Sequence, residues 1–284
     1  MGCSSHKNND NNIENLGVNE ITIEYDISDK GMFEIRIFGD RFVKRNKHIC
    51  KIAIKRKIQN LCSHLNIEEF KINNEILRVK LIGINKIKNI SYMFCECTSL
   101  LNIKNISEWK INNIIDMEFM FKGCSTLLTL PDISSWNIIN ITNISGMFYG
   151  CSSLTSLPNI SSWNTSNITN MSHLFCDCFL LKDLSDISNW KTDNVTHMNS
   201  MFYNCKSLIQ FPDISNWEIN KVTDLTKIFS RCYALVSLPN INKWRIEDVT
   251  YRKNIIKNFW KKCLKNKIFK DYIMIEGIFL WEIL

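Results

Sequence analysis

Residues 147–171 read MFYGCSSLTSLPNISSWNTSNITNM. Apolar residues stand three apart at Phe148, Cys151, Leu154, Leu157, Ile160 and Trp163, and Ile168, Met171 and Leu174 continue the step. A helix would carry such residues round its cylinder, and a single strand would point every second one outward. The spacing predicts short straight pieces joined by corners. A strand is expected near Leu154 to Ile160, a turn or single helical turn near Met171 to Cys178, and a second short extended piece around Ile168 to Met171. The whole pattern recurs every 27 residues. Trp109, Trp136, Trp163, Trp190, Trp217 and Trp244 keep that step; so do Cys97, Cys124, Cys151, Cys178, Cys205 and Cys232, and Phe94, Phe121, Phe148, Phe175, Phe202 and Phe229. Six copies of one length predict a repeat solenoid whose equivalent side chains form ladders.

The corners have columns of their own. Asn105, Asp132, Asn159, Asp186, Asp213 and Asn240 share one position, and Ser107, Ser134, Ser161, Ser188 and Ser215 follow two residues later. Asn113, Asn140, Asn167 and Asn194 make a second column. Such side chains bond backbone groups that a bend leaves unpaired. Pro131, Pro158, Pro212 and Pro239 fix one bend.

Outside the copies the pattern changes. Residues 1–19 read as a polar, Asn-rich flexible arm. Residues 20–86 alternate in short runs, at Ile21, Ile23 and Tyr25, at Phe33, Ile35 and Ile37, at Ile52 and Ile54, and at Leu77, Val79 and Leu81. Period two with β-branched residues predicts a small β-rich domain that caps the copies at 87–250. Beyond residue 250, Ile255, Ile256, Phe259, Trp260, Cys263, Leu264 and Ile268 recur at helical spacing. Residues 251–284 are therefore expected to form a basic amphipathic helix, a tail or a cap. The segment from Arg252 to Lys270 holds eight cations and no acid, against a net charge of +7 for the whole chain. The basic balance belongs to this segment, so nucleic-acid binding by the copies is not expected.

The phrase at 147–171 resembles the BspA-like leucine-rich-repeat family, usually described as surface proteins. The match covers about residues 87–250 and rests on Met-Phe-x-x-Cys-x-x-Leu-x-x-Leu, the Trp, and the Asn-Val/Ile-Thr-x-Met phrase. Leu174 and Ile228 replace a usual Met, and Ser185 a usual Pro. The resemblance implies a leucine-rich-repeat-like solenoid, mainly β and turns with short helical turns. It also implies a role in adhesion or protein binding rather than an enzyme, and a cell-surface location.

Catalytic and metal chemistry find little footing. Cys95-Glu-Cys97 and Cys176-Asp-Cys178 lie three copies apart, roughly 14 Å at strand-like spacing, too far to share one zinc ion. His173 and His197 sit in neighbouring copies at different column positions. There is no phosphate loop and no nucleophile motif. No cofactor, metal or small-molecule substrate is expected. Nine Asn-x-Ser/Thr triplets, at Asn89, Asn105, Asn140, Asn143, Asn159, Asn164, Asn167, Asn170 and Asn194, read as repeated corner chemistry. Met1-Gly2-Cys3-Ser4-Ser5-His6 resembles an acylation signal, with Gly2 a candidate for myristoylation and Cys3 for palmitoylation. The N-terminus has no apolar run of a secretory signal. Acylation would place the chain on the cytoplasmic face of a membrane; otherwise it is expected in the cytoplasm.

Two functions remain: a non-enzymatic protein-binding or adhesion module, and a membrane-tethered intracellular scaffold. Residues between the ladders are free to vary, and charge there concentrates in the last three copies, at Lys191, Asp193, Glu218, Lys221, Arg245, Glu247 and Asp248. These form the candidate partner surface.

Overall fold

The computed structural model describes residues 19–29, 31–70 and 75–237, together with 239, 241 and 244. All but the last residue of the expected arm at 1–19, the helix expected at 251–284, and Gly2, Cys3, Arg245, Glu247 and Asp248 lie outside them.

Among the described residues the regular secondary structure is gathered at the front of the chain. Strands β1 (Glu20–Asp26), β2 (Glu34–Arg36), β3 (Lys51–Ile54), β4 (Lys57–Asn60), β5 (His64–Asn66), β6 (Ile76–Ile82) and β7 (Leu100–Lys104) accompany one helix, α1 (Asp40–Asn46). Five strands form an antiparallel sheet in the order β4-β3-β6-β1-β7, and β2 pairs with β5. The alternation at Ile21, Ile23 and Tyr25 buries all three on one face, and Leu77, Val79 and Leu81 of β6 join them in the core. Phe33 falls just before β2 and is exposed. Glu24 ties three strands together, bonding Arg78 of β6 and Lys104 of β7 at 2.9 Å each. Burial alone would raise its carboxyl; the two cations outweigh this and hold it below the usual range.

The expected solenoid fold class is corrected by this arrangement. Antiparallel sheets, one five-stranded and one two-stranded, take the place of a leucine-rich-repeat strand ladder. Past Glu108 no strand or helix forms among the described residues. The strand expected at Leu154–Ile160 is reduced to one bridge, Thr129↔Ser156. The piece expected at Ile168–Met171 is reduced to bridges at Asn170 with Asn143 and His197.

The backbone turns sharply at two columns in each copy. Tyr92, Phe119, Gly146, His173, Ser200 and Lys227 stand 27 apart and all have φ between 51° and 60°. Glu96, Gly123, Gly150, Asp177, Asn204 and Arg231 form a second left-handed column, with φ from 60° to 73°. These two left-handed residues, four apart in each copy, set the tandem turns at Met171–Cys178 and its equivalents. Most of these residues carry a Cβ, a conformation costing on the order of 1–2 kcal/mol each.

Bonds between copies offset that cost. Met117, Phe119, Phe121 and Gly123 donate their N–H groups to Asn143, Ser145, Met147 and Tyr149, one copy ahead. Thr169, Thr196 and Thr223 donate theirs to Thr142, Thr169 and Thr196, one copy behind. Side chains pack along the same direction. Phe121, Phe148, Phe175 and Phe202 stack with centroids 5.6–5.8 Å apart. Each indole N–H of the column from Trp136 to Trp244 reaches an Ile carbonyl thirty residues back, as Trp163 does to Ile133 at 3.2 Å.

Candidate binding surface

Each Trp anchors the segment that follows it, so the surface is best followed from that residue outward. The first residue after Trp is exposed throughout: Lys110, Asn137, Asn164, Lys191 and Glu218. The second is not. Ile111, Ile138, Thr165, Thr192 and Ile219 are buried, so the expectation that every residue here is free to vary is corrected at that position. Thr165 and Thr192 are accepted inside because their hydroxyls donate to the carbonyls of Lys191 and Glu218 at 2.9 Å.

The fourth residue after Trp frames the surface. Asn140, Asn167 and Asn194 donate through Nδ2 to Asn112, Ile139 and Ser166, at 2.7–2.9 Å. These are three of the nine Asn-x-Ser/Thr triplets, and their amide nitrogens are occupied. Asp132, Asn159, Asp186 and Asp213 cap the backbone N–H of the serine two residues on.

On this frame Lys191, Asp193, Glu218 and Lys221 are exposed. Lys191 and Glu218 occupy one column in adjacent copies. Lys221 donates through Nζ to Asn194 Oδ1 at 2.7 Å, and Asn220 donates to Glu218 at 3.2 Å. The structure thus brings four of the seven candidate residues onto neighbouring copies.

The ladder residues face inward. All six Trp, Cys and Phe columns are buried. The Cys column also carries a polar contact: Sγ of Cys124, Cys151, Cys178, Cys205 and Cys232 lies 3.0–3.2 Å from the carbonyl of the Phe thirty residues back. Burial pushes the thiols of Cys124 and Cys205 well up and that of Cys151 to about 12. The thiolate is the reactive form, so maleimide is expected to label half-buried Cys62 and Cys95 in native protein. Cys124, Cys151 and Cys205 should stay unlabelled until denaturant is added. Peptide mapping after labelling reads this directly, and rapid native labelling of Cys151 would place the column outside the core. Of the two Cys-x-Cys pairs, Cys97, Cys176 and Cys178 are buried and Cys95 half-buried.

His173 and His197 are set apart. His197 takes part in parallel bridges to Asn170 and Asp224. His173 Nε2 meets Asn199 Nδ2 at 3.2 Å, and burial lowers its pKa. Among the described residues no three His, Cys, Asp or Glu side chains converge as metal ligands do.

A family model described as "Mycoplasma protein of unknown function, DUF285" matches residues 63–158 and again residues 155–268, more than half of the chain. The chain belongs to the DUF285 family. No curated protein and no solved structure matches it. The DUF285 description carries no activity and no partner, and it leaves the resemblance to BspA-like proteins as a resemblance. Both matches enter the copies, and the first begins just before β5 and so takes in β5 together with β6 and β7 of the five-stranded sheet.

Side chains that the sequence pattern passed over also mark this DUF285 chain. Tyr92, Phe119, Tyr149 and His173 form a half-buried strip with centroids 5.4–6.4 Å apart, in which Lys122 lies over both Phe119 and Tyr149. Leu180, Ile209, Tyr233 and Val236 are large, apolar and exposed. They fall between the three-residue steps, where attention to the ladders does not look. The signal that finds Leu180 and Tyr233 is an apolar residue where earlier copies carry Ser or Thr; Ile209 and Val236 share a column with Leu128, Thr155 and Lys182.

Proposed function

We propose that the chain is a non-enzymatic protein-binding or adhesion module. The observation that carries this reading is the surface after each Trp. One column holds Lys110, Asn137, Asn164, Lys191 and Glu218, so chemistry changes from copy to copy. The frame beneath changes less: the second position is buried in all five copies, and the Asn-to-carbonyl bond recurs at Asn140, Asn167 and Asn194. Side chains held at fixed intervals before a partner arrives lose little freedom on binding. The resemblance of residues 147–171 to BspA-like surface proteins supports the same reading.

The test is chemical cross-linking followed by affinity capture from native extract. Wild-type chain is compared with a variant carrying Glu218→Lys and Lys221→Glu. A specific protein cross-linked to wild type is expected, with slower association in the variant, because exposed charges act chiefly on encounter. Recovery of no specific protein from wild type would overturn the reading.

A further inference from the structure

The patch passed over by the ladders lies on three neighbouring runs, at residues 179–183, 206–210 and 233–237. Backbone bonds hold them side by side. Ile209 N donates to Lys182 O at 3.2 Å, Val236 N to Ile209 O at 3.0 Å, Ser207 N to Phe179 O at 3.2 Å and Ala234 N to Lys206 O at 3.1 Å. On their outer side Leu180 is 48% exposed, Ile209 44%, Tyr233 51% and Val236 59%. Phe179 adds a half-buried ring. In the two copies before the patch the positions of Tyr233 are Ser125 and Ser152, those of Leu180 are Thr126 and Ser153, and the column shared by Ile209 and Val236 holds Leu128 and Thr155, with Lys182 in the patch itself. The frame therefore does not require apolar residues here, and contiguous exposed apolar area rimmed by polar groups marks an interaction site.

The charges select the occupant. Lys182 stands inside the patch. Lys206 lies 4.5 Å over the Phe179 ring, and Arg231 lies 5.4 Å over Tyr203 beside it. Against these three cations stand two acids among the described residues, Asp183 on the same run and Asp177, whose N–H donates to Tyr203 O at 2.9 Å. The chain's own segment from Arg252 to Lys270 has eight cations and no acid, so its charge opposes docking here. A second copy across a twofold axis would set Lys182 and Lys206 against themselves, since such an interface presents the same patch twice. An anionic lipid surface would have to accept Asp183, and burying the apolar side chains in it would carry Lys182 inward as well. We propose that this patch, Leu180, Ile209, Tyr233 and Val236 with Lys182 and Lys206, docks a protein segment that presents apolar side chains flanked by carboxylates. The proposal rests on the protein-binding reading above and assigns it a surface distinct from the column of Lys191 and Glu218.

The experiment uses the full chain and three labelled helical peptides: one with Leu along one face and Glu elsewhere, one with Lys in place of Glu, and one with Ser in place of Leu. Fluorescence anisotropy is expected to find the Leu/Glu peptide bound about tenfold or more tighter than either counterpart, and weakened by salt. Ile209→Asp with Val236→Asp should abolish that preference; both sites are exposed, and an unchanged melt shows that the fold is kept. Lys182→Glu with Lys206→Glu should reverse it in favour of the Leu/Lys peptide. Equal binding of all three peptides, or a preference untouched by either double variant, would overturn the proposal. So would a concentration-dependent dimer, or adsorption to phosphatidylserine vesicles, that the Ile209/Val236 variant loses. A partner captured by wild type and still held by the Ile209/Val236 variant would remove this patch while leaving the binding module intact. Absence of any captured partner would remove the module itself.

Discussion

Replacing Trp163 by Ala is expected to cost about 3–5 kcal/mol of folding stability, as large-to-small changes in a core do. The indole is buried beneath the copy that follows it, with the Trp190 ring stacked 6.3 Å away. Its Nε1–H donates to Ile133 O, which also accepts the Trp136 N–H at 3.2 Å, so the carbonyl keeps one partner when the indole goes. The loss is therefore mainly burial and cavity. Phe148→Ala should cost a similar amount, because its ring is stacked on both sides, by Phe121 and Phe175. Chemical denaturation of both variants checks this, and a melt like wild type for either would mean that the column is not the core.

The second large effect is expected at Gly39, the residue before α1. Its N–H donates to Met93 O at 3.0 Å, which brings the helix onto the first copy. A Cβ built there would lie 2.1 Å from the Tyr92 carbonyl oxygen and 3.1 Å from Cys95 Cβ. The nearest atom is backbone, so no side chain can swing aside. Arg41 over the Tyr92 ring at 4.4 Å, Arg45 on Asn89 and Ser91, and Phe38 against Phe94 all depend on this approach. Gly39→Ala is expected to cost about 3 kcal/mol or more, above ordinary overpacking. Tyr92 amide hydrogen exchange should rise with it. A variant as stable as wild type would show that the front sheet and the first copy tolerate separation.

The columns were legible because burial makes the same demand in each copy. Trp, Phe and Cys recur where a side chain must fill one space, and the spacing of 27 follows from that. Backbone conformation was not legible. Tyr92, His173, Lys227 and Arg231 adopt left-handed φ without being Gly or Asn, so no turn residue announces them. At His173 and Asp177 those breaks fall within Met171–Cys178, where a turn was expected; the strands expected at Leu154–Ile160 and Ile168–Met171 hold only isolated bridges, and the fold class drawn from them was wrong. Thr165 and Thr192 looked like surface because they are polar; a carbonyl within reach made them core. Helix α1, DRFVKRN, is short and charged, and only Phe42 and Asn46 are buried, too little periodicity to read. β7 lies within the first copy, yet it pairs with β1, so its partner could not be inferred from the repeats. Of the candidate surface, the charged residues were found because charge was sought there. Leu180, Ile209, Tyr233 and Val236 were missed because apolar residues were assumed to be ladder.

The bonds between copies have a bearing on heredity. Each copy gives N–H groups forward to residues 26 ahead and others backward to residues 27 behind, and every interior copy does so alike. An unequal exchange between two alleles that adds or removes one whole period rejoins donors to acceptors without a mismatch. A gain or loss of any other length mismatches the N–H groups and carbonyls that pair across the altered copy. The gene can therefore lengthen or shorten in whole units, and each added unit offers selection a fresh row of outward side chains on an unaltered backbone.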